Sequence, residues 1–215
     1  MSRQLPVHWH GGHMLVDPIP GSGLRALIDT GAGHTASHRK GDGYLGTELS
    51  DIEDLAGTRI DLLVGLDAFR VPVMLTRDYV EFNAARPQGV QMPTSGPVPE
   101  FQVRLCYADT PLRDYIGWAY FDSGAEKSYI APGFGGRYLR MTKDFFPPVG
   151  EYQAMQFTNL VEVAGREIPI EPVVPLHRGV NVTTWRRPLL LGSELLLWGD
   201  LWIDLPHQQV IFRRT

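Results

Sequence analysis

Two short stretches of the sequence end on the same grouping of reactive side chains. A largely apolar run from Leu24 to Ile28 leads into Asp29-Thr30-Gly31-Ala32, and Trp118 to Phe121 lead into Asp122-Ser123-Gly124-Ala125. Each places a carboxylate where a buried strand breaks into a tight turn, so the acid is held on rigid backbone rather than on a loose loop. Thr30 and Ser123 supply hydroxyls that can bond across to the opposite turn, and Gly31 and Gly124 permit close backbone approach. If the two turns pack about a pseudo-twofold axis, Asp29 and Asp122 face each other. Two carboxylates a few ångströms apart cannot both ionise cheaply, so they share a proton and titrate as a pair. One can then take a proton from a water held between them while the other protonates a carbonyl oxygen. The chemistry expected of such a pair is amide hydrolysis with no metal, no cofactor and no covalent intermediate.

The elements that must position the two acids also recur. Ile60 to Phe69 (IDLLVGLDAF) has a counterpart in Pro188 to Leu197 (PLLLGSELLL), each an apolar run, a Gly, an acid two residues on, and a short helix-like stretch. A third element, Tyr79 to Met92, is matched to Leu201 to Phe212, with Glu81 and Asp204 at similar places. Three elements recurring in one order indicate an internal duplication. The joint is read in Arg86 to Glu100 (RPQGVQMPTSGPVPE), whose Pro and Gly break helix and central strand alike. The expected organisation is an N-terminal lobe, 1–92, carrying Asp29, and a C-terminal lobe, 93–215, carrying Asp122. Helix signals are few: after Gly65, after Gly192, and weakly in ELSDIEDLAG up to Gly57. Alternating and β-branched runs dominate the rest, including LVEVAGREIPIEPVV, where Gly165-Arg166 is expected to turn a hairpin. The fold class expected is all-β and bilobal.

Composition sets the outer bounds. The chain has 215 residues, 43% hydrophobic and 20% charged, with a formal net charge of −4. That is enough chain to bury a real core, and it excludes disorder as an overall description. The basic residues are scattered, so no stripe for phosphates is visible and no nucleic-acid partner is expected. Gly and Pro together make up about 19% of the chain, which calls for many turns and short strands. No apolar window approaches the span of a bilayer, and MSRQLPVHWHGGHMLV lacks the apolar core of a secretory signal. No membrane partner and a cytoplasmic location are expected. Cys106 is the one cysteine, so no intramolecular disulfide forms, and it reads as a small buried hydrophobe.

Other groupings carry less. His8, His10 and His13 are spaced to share a metal, but no carboxylate or Cys of matching spacing accompanies them, and the segment reads as a mobile terminus or expression remnant. GSGLRALIDTGAG is not a nucleotide loop, because its Gly turn precedes a strand and no Gly-Lys-Ser/Thr follows. Ser123 and Ser193 lie outside any nucleophile-elbow pattern and read as structural hydroxyls. Paired carboxylates also cleave glycosides, a reading that carboxyls close enough to share a hydrogen bond would disfavour.

The paired IDTGAGHT and FDSGAEKS segments, each followed by an apolar-apolar-Gly element (LLVGLDAF, LLLGSELL), resemble the active-site architecture of aspartic peptidases. Ala32 and Ala125 at the fourth position make the motifs more similar to the retropepsin branch than to pepsin. Both copies lie in one chain, as in pepsins, at a length well below pepsin's. The resemblance runs from about Leu24 to the end. It implies that Asp29 and Asp122 form the catalytic dyad and that Thr30 and Ser123 make crossing hydroxyl bonds beneath it. It further implies that Gly31 and Gly124 approach the substrate backbone, that Ala32 and Ala125 belong to the same binding turns, and that Leu63-Val64-Gly65 and Leu190-Leu191-Gly192 support the dyad. The implied substrate is a peptide or protein, and a monomer suffices for catalysis. Two departures stand out. Asp29 lies 36 residues before Gly65 but Asp122 lies 70 before Gly192, so the first half is abbreviated and a single flap is expected, near Lys143 to Gln153. The acids Asp67 and Glu194 replace the Arg-Asp or Arg-Asn common after the second Gly in retropepsins.

Overall fold

The computed structural model describes residues 3–19, 21–37, 57–106, 115–146, 148–183 and 186–215. Among these the chain is built of strands with two short 3-10 turns and no α-helix. The first half contributes β1 (Arg3–His10), β2 (His13–Val16), β3 (Ala26–Ile28), β4 (Ala36–Ser37), β5 (Leu62–Val64), β6 (Val73–Leu75), β7 (Tyr79–Phe82) and β8 (Val90–Met92). The second contributes β9 (Glu100–Cys106), β10 (Tyr115–Phe121), β11 (Tyr129–Ile130), β12 (Arg137–Phe146), β13 (Gly150–Val163), β14 (Arg166–Ile170), β15 (Val173–Pro175), β16 (Leu189–Leu191), β17 (Gly199–Asp204) and β18 (Gln209–Arg214). The helix-like stretches after Gly65 and Gly192 are only the 3-10 turns Leu66–Ala68 and Ser193–Leu197. Most of ELSDIEDLAG lies outside the described residues.

One sheet has the order β4-β5-β3-β2-β1-β7-β6-β17-β18-β8, the other β12-β13-β15-β11-β16-β10-β9 with β14 beside β13. In each sheet the strand that leads into an acid turn pairs parallel with the apolar strand before a Gly: Ile28 beside Val64 and Phe121 beside Leu191. β3, β5 and β16 are wholly apolar and almost wholly buried, as strands covered on both faces must be, and β10 ends on the buried Phe121. Ile28, Val64, Phe121 and Leu191 all belong to one core, which also takes in Phe101, Leu75 and Phe212. The strands that deliver the two acids are thus embedded in a common apolar body.

The duplication is real, but its third element is offset by one strand from the match drawn on sequence. β6 and β17 pair antiparallel, with Met74 opposite Trp202, and each is the first strand after the 3-10 turn of its half. β6–β7 therefore corresponds to β17–β18, so Glu81 and Asp204 are not equivalent positions. The expected lobe boundary at 92/93 falls between β8 and β9, and the last hairpin returns to complete the first sheet.

Three further segments refine the expectations. The HWHGGH segment is not a loose end: it forms the β1–β2 hairpin, with Gly11 and Gly12 at its turn and β1 paired to β7. β12 and β13 form a long hairpin spanning the expected flap, with Asp144 opposite Tyr152. The β13–β14 turn is Ala164-Gly165, both at positive φ (53° and 74°), rather than Gly165-Arg166. Cys106 is half-buried at the end of β9.

Candidate active site

Parallel pairing fixes where each acid emerges. Asp29 N donates to Val64 O (3.0 Å) and Asp122 N to Leu191 O (2.9 Å), so each acid continues the ladder one residue past its strand. The chain then turns back, Ala32 N to Asp29 O and Ala125 N to Asp122 O, both at 3.3 Å. Within the turns Asp29 Oδ1 accepts from Gly31 N (2.8 Å) and Ala32 N (3.1 Å), and Asp122 Oδ1 accepts from Gly124 N (2.9 Å). Backbone donors thus set the rotamer of both carboxylates.

The two turns are cross-bolted by their hydroxyls. Thr30 Oγ1 donates to Phe121 O (2.8 Å) and accepts from Ser123 N (2.9 Å). In return, Ser123 Oγ donates to Ile28 O (2.8 Å) and accepts from Thr30 N (3.1 Å). Both side chains are fully buried, so each bond satisfies a backbone group that has no access to water. Tyr120 adds a hydroxyl bond to Thr30 O.

The glycines explain how close the acids come. A Cβ placed on Gly31 would lie 2.3 Å from Asp122 Oδ2, and one on Gly124 would lie 2.4 Å from Asp29 Cγ. Each glycine is packed on the carboxylate of the opposite turn, where no side chain fits. Each carboxyl therefore sits against the opposite turn, and the two acids perturb one another's titration. Burial raises both above the ordinary carboxylate range; the charge of Asp122 drives Asp29 further, and Asp29 partly offsets the rise at Asp122. The two carboxyls therefore titrate as a pair, with the second proton lost only well above the ordinary carboxylate range.

The acids at Asp67 and Glu194 replace the expected basic-polar pair with a different brace. Asp67 Oδ1 accepts from Thr35 N (2.8 Å) and Thr35 Oγ1 (2.6 Å), while Gly65 N donates to that hydroxyl (3.2 Å). Glu194 Oε1 accepts from Ser128 N (3.2 Å), and Gly192 N donates to Ser128 Oγ (3.1 Å). Thr35 and Ser128 each lie six residues after the Asp of their turn, and the acids lie two residues after the Gly. This hydroxyl-acid spacing was visible in the sequence and marks a second layer of support. Gly65 and Gly192 are needed for close approach: a Cβ there would meet the backbone of His34 and Lys127, each at 2.6 Å.

A cavity of about 110 Å³ opens over the dyad, lined by Asp29, Asp122, Gly124, Ala125, His13 and the β12 residues Phe145 and Phe146. Thr30, Ala32 and Ser123 are enclosed and act through the turns they hold. The β12–β13 hairpin is anchored beside the second turn because Asp144 accepts from Tyr129 (2.7 Å) and Tyr152 (2.8 Å). Burial, first, raises both phenols and keeps them as donors. Sequence reasoning missed His13, which β2 delivers to the cavity. The Gly-Gly between two strand-like runs was a hairpin signal. Among the described residues no cluster suited to a metal ion is present, and His8, His10 and His13 form none.

No family model matches the chain, and no curated protein matches it. Among solved structures it is similar to an aspartic proteinase from Irpex lacteus, with a TM-score of 0.57 and 9% identity over 100% of this chain and 98% of that one. At that identity the likeness is one of fold: the chain has the two-lobed, all-β aspartic-proteinase architecture.

Proposed function

We propose that the chain is an aspartic endopeptidase in which a water bound between Asp29 and Asp122 attacks a peptide carbonyl. The observation that carries this reading is the facing carboxyl pair, each acid packed on the glycine of the opposite turn, on two cross-bolted turns beside a cavity that both acids line. Asp122, ionised, takes a proton from the water as its oxygen bonds the carbonyl carbon, and Asp29 gives its proton to the carbonyl oxygen. Collapse of the resulting diol runs the protons in reverse: Asp122 protonates the departing nitrogen, Asp29 recovers a proton from the diol hydroxyl, and the C–N bond breaks. The backbone donors to both Oδ1 atoms fix the acids before substrate arrives, so little reorganisation is left to the reaction itself. Phe145 and Phe146 cover the site and help exclude water other than the reacting one. No metal or cofactor is required by this chemistry.

Glycoside hydrolysis is less favoured, because its carboxyls stand at least about 5 Å apart while here each carboxyl packs on the glycine of the other acid's turn. A second reading, a non-catalytic module that holds an extended peptide in the cleft, draws on the absence of a first-lobe counterpart to the β12–β13 hairpin among the described residues. Cleavage of a mixed-sequence peptide pool, read by mass spectrometry from acid to mildly alkaline pH beside Asp29→Asn and Asp122→Asn, separates the two. Cuts made by the wild type alone support the peptidase. Capture of peptides without cuts supports the binding module.

A further inference from the structure

His13 is not needed for anything derived so far, and its position is unusual for a histidine. It is 3% exposed, lies at the start of β2, and lines the same cavity as Asp29 and Asp122. Its Nδ1 is 2.8 Å from Gly124 O, the carbonyl of the residue packed on the Asp29 carboxylate. A carbonyl oxygen can only accept, so Nδ1 carries the hydrogen. In that tautomer Nε2 is a bare acceptor, and among the described residues it has no hydrogen-bond partner. A buried polar atom left unpaired costs on the order of 1–3 kcal/mol, and such atoms in native proteins call for an explanation.

The hairpin around it is built for close contact. Gly12, at φ 79°, packs on the Glu126 side chain so tightly that a Cβ would lie 2.1 Å from Glu126 Cγ, and Ser193 Oγ donates to Gly12 O (2.6 Å). The first lobe thus reaches across and inserts one imidazole beside the acid turn of the second. Resting on the peptidase reading above, we propose that His13 is a specificity-determining residue of the cleft, whose Nε2 accepts a hydrogen bond from an N–H of the peptide substrate docked beside the dyad.

This assignment fits the surrounding charges. Burial lowers the affinity of the ring for a proton, and Gly124 O, Glu126, Asp122 and Asp144 pull in the opposite direction with less effect. The ring is therefore neutral, an acceptor, near neutral pH. Protonation in acid converts Nε2 to a donor and removes the only acceptor the ring can offer. Weaker substrate binding in acid follows, separately from any change in the dyad.

The test uses the full chain and the peptide it cuts best from a mixed-sequence pool, together with that peptide's analogue in which the scissile amide is reduced to an amine linkage. In ¹⁵N spectra of the wild type, His13 is expected in the Nδ1–H form, with its Nε2 resonance shifting as the analogue saturates the protein. His13→Leu is expected to raise KM about fivefold to tenfold, the worth of one neutral hydrogen bond, with the loss falling on KM rather than kcat. His13→Gln, which keeps an acceptor that cannot titrate, recovers most of that loss and lacks the rise in KM that the wild type shows as the pH falls. An Nε2 resonance that ignores a saturating analogue, or a folded His13→Leu protein with wild-type KM, overturns this inference and leaves the peptidase reading intact. A wild type that cuts no peptide in the pool overturns the peptidase reading and this one with it. Should His13→Leu fail to fold, the wild-type spectra and the His13→Gln pH profile still decide the matter.

Discussion

Around Asp29 and Asp122 the backbone repeats almost bond for bond. The paired ladder bonds differ by 0.1 Å, the turn bonds are both 3.3 Å, and Leu66 N to Ala32 O matches Ser193 N to Ala125 O at 2.8 Å. Gly65 and Gly192 share a ψ of −176°. Among the described residues, what surrounds these turns is not repeated. The second turn is covered by the β12–β13 hairpin and by the tip of β1–β2, which uses Ser193 Oγ and the Gly124 carbonyl as docking points. At the position equivalent to Ser193 the first turn has Leu66, which offers no hydroxyl. The difference divides the molecule by physical requirement. Two acids that share a proton must be held by matching frames, since a displacement of either breaks the pair, whereas a cleft can be covered from one side.

The largest effect tests whether the two turns are equal partners. Asp29→Asn and Asp122→Asn are each expected to reduce kcat at least about a thousandfold, the upper part of the range for loss of a general acid or base. Turnover retained by one variant would break the symmetry and remove that acid from the mechanism. Both variants should also be more stable than the wild type at neutral pH. A buried carboxyl whose affinity for protons is raised contributes stability that is present in acid and lost as the pH rises through its folded-state pKa. Thermal melts across pH should therefore show the gain of either Asn variant growing from acid to neutral.

Next in size are the two glycines on the facing carboxylates. Gly31→Ala and Gly124→Ala put a methyl where only 2.3 to 2.4 Å separates the site from the opposite carboxyl group, so each must push the acids apart. A displacement near 1 Å at a reacting centre costs about a hundredfold in rate. Single-turnover kinetics should give similar losses for both. An undiminished rate in either would show that its turn can yield without spoiling the dyad.

The cross-bolts are worth less, and they are read as stability. Thr30→Val and Ser123→Ala each strand a buried backbone N–H and carbonyl, at a cost of about 1–3 kcal/mol. Because each hydroxyl also braces the other turn, the double variant should lose less than the two single losses combined. Denaturant unfolding of the four proteins measures that coupling, and strict additivity would mean that the turns are held independently.

How far these frames could be read from sequence follows from the range of the interactions. Asp29, Thr30, Asp122 and Ser123 were legible because strand, acid and Gly turn are consecutive, and the repeated Gly65 and Gly192 elements supplied the rest of each frame. A hairpin near Lys143 to Gln153 was legible from its Pro-Gly tip and from the unequal spacing of the two halves. His13 was not: β1 is ordered by pairing with β7, Arg3 opposite Phe82, and nothing local to HWHGGH announces a partner so distant in the chain. The third repeat was misaligned by one strand for a related reason. Strand-turn-strand patterns look alike, and it is the order of elements after each 3-10 turn, with the β6–β17 pairing, that shows which ones correspond.

The smallest expected effects come from the bracing acids, and they have opposite signs. Burial raises the Glu194 carboxyl, and the hydrogen bonds from Ser128 offset this only in part. Its stabilising share is therefore present in acid and lost as the pH climbs through its folded-state pKa. Glu194→Gln keeps the acceptor, removes the buried charge, and should gain about 1 kcal/mol at neutral pH, a typical single-site change, with the gain vanishing in acid. Asp67 is exposed, and its carboxyl is lowered, chiefly by the Thr35 hydroxyl. Its contribution is present above the ordinary carboxylate range and lost as the pH falls through its depressed folded-state pKa. Asp67→Asn should therefore cost no more than about 0.5 kcal/mol at neutral pH, given the solvent screening of an exposed charge, and nothing in strong acid. Melting curves with the same sign for both variants would mean that the second brace is as open to water as the first, and that the cover over the second turn does not exclude water from Glu194.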